Sequence, residues 1–499
     1  MNAATTSFRV KLTAWLPRFV LLFCVVQPIL DVLTYWQETL GYSNVVTFLI
    51  RVLLISLLIW IGFLLSRKKW VYFLCVGVLS LYMVGHLLAC HQYGWIDIYS
   101  DLKDQSRILM LPLMTLSFVT LIRQNEDCVK AVKLGFVVNM VVFLFVALMA
   151  TVTGTDPHTY YDKHIGVLGW FLWGNSQSAI LGMITPIIIA WTLRRFEGKQ
   201  LPVILAAAVC FAMLFFNGTR AAYGILAGTG LLLSVCIFVT DKTRRPAAAA
   251  ILMIAIAFCA LYPFSPTKAN QDALKQRGEV KQERLYRAVE PYGIEPGTER
   301  TEDPEALAAA YRYWLQGMID RFGLERVAKA YDYTLKQELL STRRDNMLRF
   351  CELLMEDAPP LSHAFGLEVG TMRQETTLYY YYKDAFLPGT EIFEPENDLH
   401  AIYYLCGAVG LGLMLAFLLC FGLRALRTLL LRFRSVFRPD YLAVFAAYGF
   451  CMLCVYSTSA VLRRINTSVY LAMVLAMLWE LSRLDRYPAS QKKGAAKAS

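Results

Sequence analysis

Apolar runs of helix length alternate with short charged loops along the first half of the chain, and the alternation breaks once. Stretches nearly free of charge recur near residues 13–34, 45–65, 70–90, 107–122, 132–152, 171–192, 201–217, 221–240 and 247–264. Most approach the ~20 residues that a helix needs to cross a bilayer. From Ser265 to Leu399 the chain turns polar and charged. At His400 it returns to apolar runs near 400–422, 441–459 and 465–482. The pattern predicts an all-α polytopic membrane protein of about 12 transmembrane helices, with one large, mainly helical loop between spans 9 and 10. Residues 1–264 carry spans 1–9, 265–399 the loop, 400–482 spans 10–12, and 483–499 a basic tail. The run after Arg18 continues through Pro28, Asp31 and Trp36 without a small-residue cleavage site, so it reads as a first span and not as a signal peptide.

The loop has its own periodicity. Lys268 to Glu302 is hydrophilic, carries no recognisable chemistry and reads as a mobile stretch broken by Pro291 and Pro296. Thr301-Glu302-Asp303-Pro304-Glu305 then opens an amphipathic helix, with proline early and acids near the positive end of the helix dipole. Leu307, Tyr311, Leu315, Met318 and Ile319 follow at helical spacing. A second such helix runs from Arg343 to Asp357 and stops at Ala358-Pro359-Pro360. Beyond it lie Gly366, Gly370, the tyrosine run Tyr379–Tyr382 and a Pro/Gly-rich approach to His400.

Charge orients the chain. The connections that begin with Arg9/Lys11/Arg18 and end with the Arg424–Arg438 cluster and the tail hold roughly 25 cations, against about 6 in the short loops opposite. Both termini are therefore expected in the cytoplasm, with the loops at 35–44, 91–106, 154–170, 218–220 and 460–464 and the large loop outside. This bias accounts for the net charge of +11 without nucleic acid. Of the twelve cysteines only Cys351 falls in the large loop, which excludes a disulfide framework there. The six histidines show no close ligand pairing, so no metal is expected. There is no Walker A loop, dinucleotide fingerprint or serine-hydrolase elbow, and no cofactor is implied.

Ionisable residues in or at the ends of spans are costly and so are candidates for function. Asp31 and Arg51 read either as an intramembrane ion pair and snorkelling cation or as binding groups. Arg107 opens span 4, as a helix anchor or a ligand contact. Arg220 sits in the tight turn Asn217-Gly218-Thr219-Arg220, followed by Gly224 and Gly228 at the spacing of close helix contacts. A planar guanidinium held there suits a phosphate or pyrophosphate, although a helix-end anchor uses the same residue. On a helix, His400, Tyr403, Tyr404, Gly407 and Leu411 share a face, and an imidazole can take a proton from a sugar hydroxyl or simply start a helix.

The stretch Phe216-Asn217-Gly218-Thr219-Arg220-Ala221-Ala222-Tyr223-Gly224, the long loop two spans later, and His400 with Gly407 and Gly410 resemble the O-antigen ligase and O-antigen polymerase superfamily. Gly169 to Asn175 resembles that family's approach to the preceding span, and Arg343-Arg344 followed by a helix ending at Pro360, Gly366 and Gly370 resembles its loop motif. The resemblance implies a GT-C type glycosyltransferase of the bacterial cytoplasmic membrane, with its active site facing outward. It would move a glycan from an undecaprenyl-pyrophosphate carrier to an acceptor hydroxyl on a glycan or glycolipid, without metal and with inversion. By position, Arg220 and Arg344 would hold the pyrophosphate and His400 would act as base. Arg343, Arg349, Arg107, Asn175, Asp31 and Tyr403 would line the substrate site. The chain departs from the family pattern after the histidine, where Ala401 stands in place of Asn and Asn397-Asp398 lie upstream, and Leu405 occupies a position that is often acidic. A transporter or glycolipid flippase with twelve spans is the alternative, although two related halves are missing. A sensor or scaffold is a third reading.

Overall fold

The computed structural model describes residues 3–155, 158–380, 395, 397–458 and 461–486. Tyr381 and Tyr382, most of the approach to His400, Asp156 of the 154–170 loop, and residues 487–499 of the basic tail lie outside the described residues. The first part of the chain forms α1 (Ala3–Thr39), α2 (Val45–Leu65), α3 (Lys69–Tyr93), α4 (Ile98–Gln124), α5 (Asp127–Val152), α6 (Gly174–Arg195), α7 (Leu201–Asn217), α8 (Arg220–Thr240) and α9 (Arg245–Ala260). The loop contributes α10 (Pro266–Val289), α11 (Pro304–Tyr311), α12 (Gln316–Phe322), α13 (Leu324–Ala330), α14 (Gln337–Ser341), α15 (Arg343–Glu356), α16 (Pro360–Phe365) and α17 (Val369–Glu375). The last part holds α18 (Asp398–Leu431), α19 (Phe433–Val436), α20 (Pro439–Ser457) and α21 (Ile465–Leu481). Among the described residues there is no strand, and ten helices are long and apolar enough to cross a membrane. α7 and α21 are apolar but shorter. Each predicted apolar run coincides with a helix.

Burial sorts these helices. α6 and α21 are buried on nearly every face, as central helices must be. α1 packs on α5, α20 on α6, and α4 on α21. α2, α3 and α18 leave leucines and aromatics exposed along one side, which suits lipid contact. Small residues permit close crossings, though at only one of the two glycines the spacing picked out. Gly224 faces open space, whereas Gly228 packs closely on the Phe450 ring of α20. A tighter contact of α8 is made by Gly230 against Ala255 of α9.

Two further expectations change. Lys268–Glu302 is not featureless: Ser265 caps α10, whose Leu285 and Val289 are buried, and Lys281 donates to the Ser341 carbonyl. Its hydrophilic composition reflects a helix wetted on most of its surface. Nor does Gly407 thin the face of a straight helix. Its φ is 65° and ψ −176°, and α18 kinks there. The backbone of Ala364 and Phe365 crosses at the kink, and Cβ atoms at Gly407 and Gly366 would overlap the facing main chains. The carbonyls freed by the kink find donors in Leu367 N–H (to Tyr404, 2.8 Å) and Gln105 Nε2 (to Leu405, 2.7 Å).

Gly407→Ala should therefore destabilise the protein by about 2 kcal/mol or more, from a positive φ plus overpacking. Gly224→Ala, facing open space, should leave stability unchanged or slightly raised. Thermal unfolding of the two purified variants in one detergent checks the contrast.

Candidate functional site

A cavity of ≈ 440 Å³ opens at the end of the bundle where α1 and α20 finish and α4, α6 and α21 begin. Arg51, Arg107, Arg373, Arg463 and Arg464 line it, together with Asp31, Glu38 and Asp104. So many cations in one partly enclosed space need counter-charge. Arg51 Nη2 pairs with Asp31 Oδ1, and both side chains are mostly buried. Asp104 serves two arginines at once: Oδ1 accepts from Arg107 Nη1 at 2.7 Å and Oδ2 from Arg373 Nη2 at 2.8 Å. Arg464 lies over the Trp173 ring at 4.0 Å and donates to Ser176 Oγ at 3.4 Å. Arg51 Nε, Arg107 Nε and Gln177 Nε2 are buried donors for which the described atoms offer no acceptor. Cations in excess of carboxylates, with spare donors, suit an oxygen-rich anion.

Arg373 comes from the large loop, and the residues that deliver it there are polar and buried. Glu368 accepts from the N–H groups of Ile96 (2.7 Å) and Asp97 at the start of α4, and from Thr371 Oγ1 (3.1 Å). Asp101 Oδ1 accepts from Val369 N–H at 3.0 Å. His86 Nδ1 donates to the Phe365 carbonyl at 2.7 Å, and its Nε2 lies 2.9 Å from Asp101 Oδ2. Asp101, Asp104 and the N-terminal turn of α4 thus form a dock for residues 365–373.

His86, Cys90 and Asp101 also place three potential ligand atoms close together. Metal bonds of about 2.0–2.1 Å in a tetrahedron put ligand atoms roughly 3.3 Å apart. The 2.9 Å His86–Asp101 separation is that of a hydrogen bond, and the other Asp101 oxygen is engaged by Val369. The donor set fits a hydrogen-bonded dock and not a metal centre.

The residues singled out in the sequence fall in different places. Asp31 and Arg107 line the cavity. Arg107 does not open its helix, because Asp97 caps α4 ten residues earlier, and Arg107 lies inside the helix facing the cavity. Arg220 is exposed at the first turn of α8. Its turn is tied to α6, since Ser178 Oγ donates to Asn217 Oδ1 (2.7 Å) and lies 2.6 Å from Thr219 Oγ1. Trp173, Ser176 and Gln177 of the same α6 start line the cavity, while Asn175 between them is exposed. Arg343 is exposed and Arg344 half-buried at the start of α15. Arg349 is engaged inside the loop by the Ala330 carbonyl and the Tyr331 ring. His400 is exposed on the first turn of α18, its ring stacked on Tyr404 at 6.4 Å. Tyr403 OH is 3.5 Å from His363 Nδ1, and Tyr404 OH donates to the Leu348 carbonyl of α15 at 3.3 Å. The loop helix with Arg344 and the span with His400 therefore meet one turn away from each residue.

Arg373, Arg463, Arg464 and Asp104 were not singled out. Arg463-Arg464 did carry a signal: two adjacent cations in a short loop predicted to lie outside run against the positive-inside pattern. Burial pushes the Cys351 thiol of α15 up, and the Arg463 charge is near enough to oppose that shift.

These features define a polytopic helical membrane protein with an arginine-lined cavity at one end of the bundle, completed by a docked loop. The chain matches the family described as O-antigen ligase like membrane protein over residues 13–481, and it belongs to that family. Membership makes it a glycan-transferring membrane enzyme acting on a lipid-linked glycan. No curated protein matches the chain.

Asp31→Ala should destabilise the fold by about 3 kcal/mol, because it leaves the Arg51 guanidinium buried without its carboxylate. The double substitution Asp31→Ala, Arg51→Met should recover much of that loss. Denaturation of the three variants in one detergent measures it.

Proposed function

We propose that this protein transfers a glycan from an undecaprenyl-pyrophosphate carrier to an acceptor hydroxyl on the outer side of a bacterial cytoplasmic membrane. The single observation that supports this most is the convergence of Arg51, Arg107, Arg373, Arg463 and Arg464 on one cavity. A diphosphate leaving group accumulates negative charge as the glycosidic bond breaks, and preorganised guanidinium donors stabilise that charge without a divalent ion. In this reading the chain crosses the membrane twelve times with both termini in the cytoplasm, which puts the cavity outside. α7 and α21 span because they run through the bundle and not through lipid alone.

His400 is the base that takes the proton of the acceptor hydroxyl, with Tyr403 and Arg344 beside it on the acceptor side. Arg220 and Asn175, both exposed, meet the carrier as it enters. Attack on the anomeric carbon from the face opposite the diphosphate inverts it. Arg349 keeps a structural task within the loop, and Arg343 borders the acceptor path. The acceptor is a lipid-anchored core, as for a ligase, or a second carrier-linked glycan, as for a polymerase.

Arg373→Ala, Arg463→Ala and His400→Ala should each reduce transfer by about 100-fold or more, while Arg349→Lys retains most of it. The assay is the surface glycan profile on gels after complementation of a deletion strain, with membrane levels of each variant checked. Undiminished glycan in all three alanine variants would sink the reading. Loss of all attached glycan in the deletion strain marks a ligase, and survival of one attached repeat unit marks a polymerase.

A further inference from the structure

The Asn397-Asp398 pair departs from the family pattern around the histidine, and both side chains are occupied in an unusual way. Asn397 caps α18: its Oδ1 accepts from Leu399 N–H at 2.9 Å and from His400 N–H at 3.3 Å. Its Nδ2 donates to the Tyr456 carbonyl at the end of α20, at 3.0 Å. Asp398 is fully buried. Its Oδ2 accepts from two consecutive backbone N–H groups, Val461 at 2.8 Å and Leu462 at 3.1 Å. Its own N–H donates to the Thr458 carbonyl at 3.1 Å. The next two residues after Leu462 are Arg463 and Arg464, whose positive charges both bear on the Asp398 carboxylate. Asp398 Oδ1 is buried and meets no donor among the described atoms.

One carboxylate therefore fixes two things. It holds the first turn of α18, where His400 stands two residues on, and it holds the backbone that presents Arg463 and Arg464 to the cavity. A buried carboxylate is costly unless it is hydrogen-bonded and paired with positive charge, and here the Val461 and Leu462 N–H groups and the two arginine charges meet that need.

We propose that Asp398 is a positioning residue that holds His400 in fixed relation to Arg463 and Arg464, so that the base for the acceptor and the donor-side arginines are set by one side chain. This rests on the function proposed above. Displacement of about 1 Å between reacting groups costs on the order of 100-fold in rate, so a short, buried tie between the two halves of the site has a direct effect on turnover. Because both backbone N–H groups go to the same oxygen, an asparagine with its carbonyl oxygen in the Oδ2 position keeps the tie, whereas alanine cannot.

The test uses the full-length protein in detergent and inorganic pyrophosphate as the probe of the donor side. Asp398→Ala should weaken pyrophosphate binding about tenfold, as Arg463→Ala does, through loss of oriented charge-assisted contacts. It should also remove the surface glycan in complemented cells, as His400→Ala does, and speed hydrogen exchange in the peptide containing Val461 and Leu462. Asp398→Asn should restore binding and glycan. If Asp398→Ala does not accumulate, Asn397→Ala cuts the neighbouring tie and should give the same losses in weaker form. The proposal is overturned if the alanine variant that accumulates binds pyrophosphate and displays glycan like the wild type while Arg463→Ala and His400→Ala fail. A merely structural role lowers the melting temperature without changing the pyrophosphate affinity of the folded protein. If the wild type binds no pyrophosphate, or if Arg463→Ala and His400→Ala behave as wild type, the site reading itself fails and this inference falls with it.

Discussion

The main chain of α18 opens at Gly407, and the placement of the loop depends on what passes through that opening. Two backbones cross where neither tolerates a Cβ, at Gly407 and Gly366. A helix broken in the interior of a bundle exposes carbonyls that no water can reach. Here Leu367 and Gln105 supply the missing donors, one from the loop and one from α4. The break is thus satisfied only while the loop is docked, and the loop is held in register by the same bonds. That register fixes where α17 begins on α4, and so where Arg373 points.

Pairing of charge then determines the shape of the site. An arginine inside a bundle is stable only beside a carboxylate or facing water. Asp31 and Asp104 meet that requirement for Arg51, Arg107 and Arg373 while leaving other guanidinium edges uncommitted. Under the proposed function the carboxylates hold the cations in place for the diphosphate, which offers more oxygens than one carboxylate and so would engage those edges without dismantling the pairs. This is the arrangement in which electrostatic stabilisation requires least reorganisation.

Much of the fold could be read from the chain because membrane helices declare themselves by length and apolarity. Every apolar run became a helix, and α15 starts at Arg343 as its periodicity predicted. The site was legible only in part. Asp31 and Arg107 stood out because charge within an apolar run is conspicuous. Arg373 did not, since it lies in a polar loop where another arginine carries no signal, and its partner Asp104 sits in the loop-like start of α4. The expectation that Arg344 holds the pyrophosphate, with Arg343 and Arg349 in the substrate site, followed motif order, and Arg373 had no place in that order. Which loop arginine reaches the cavity depends instead on the Gly366–Gly407 crossing, a contact between residues about 40 apart that no local pattern encodes.

Arg463-Arg464 shows how a topological rule can point to function through its exception. Positive residues favour the cytoplasmic side, so two adjacent arginines in a short loop opposite work against the orientation set by the rest of the chain. Arg107 and Arg373 reach the same end of the bundle. A cation that opposes topology and remains half-buried has two costs, one at insertion and one in the folded state. Asp104 offsets the second for Arg107 and Arg373, and the Trp173 face does so for Arg464. Neither contact offsets the first, which weighs on orientation whatever the partner in the folded state. Under the proposed function that cost is offset by what binds there, since the diphosphate of a lipid carrier is an anion that these cations can hold.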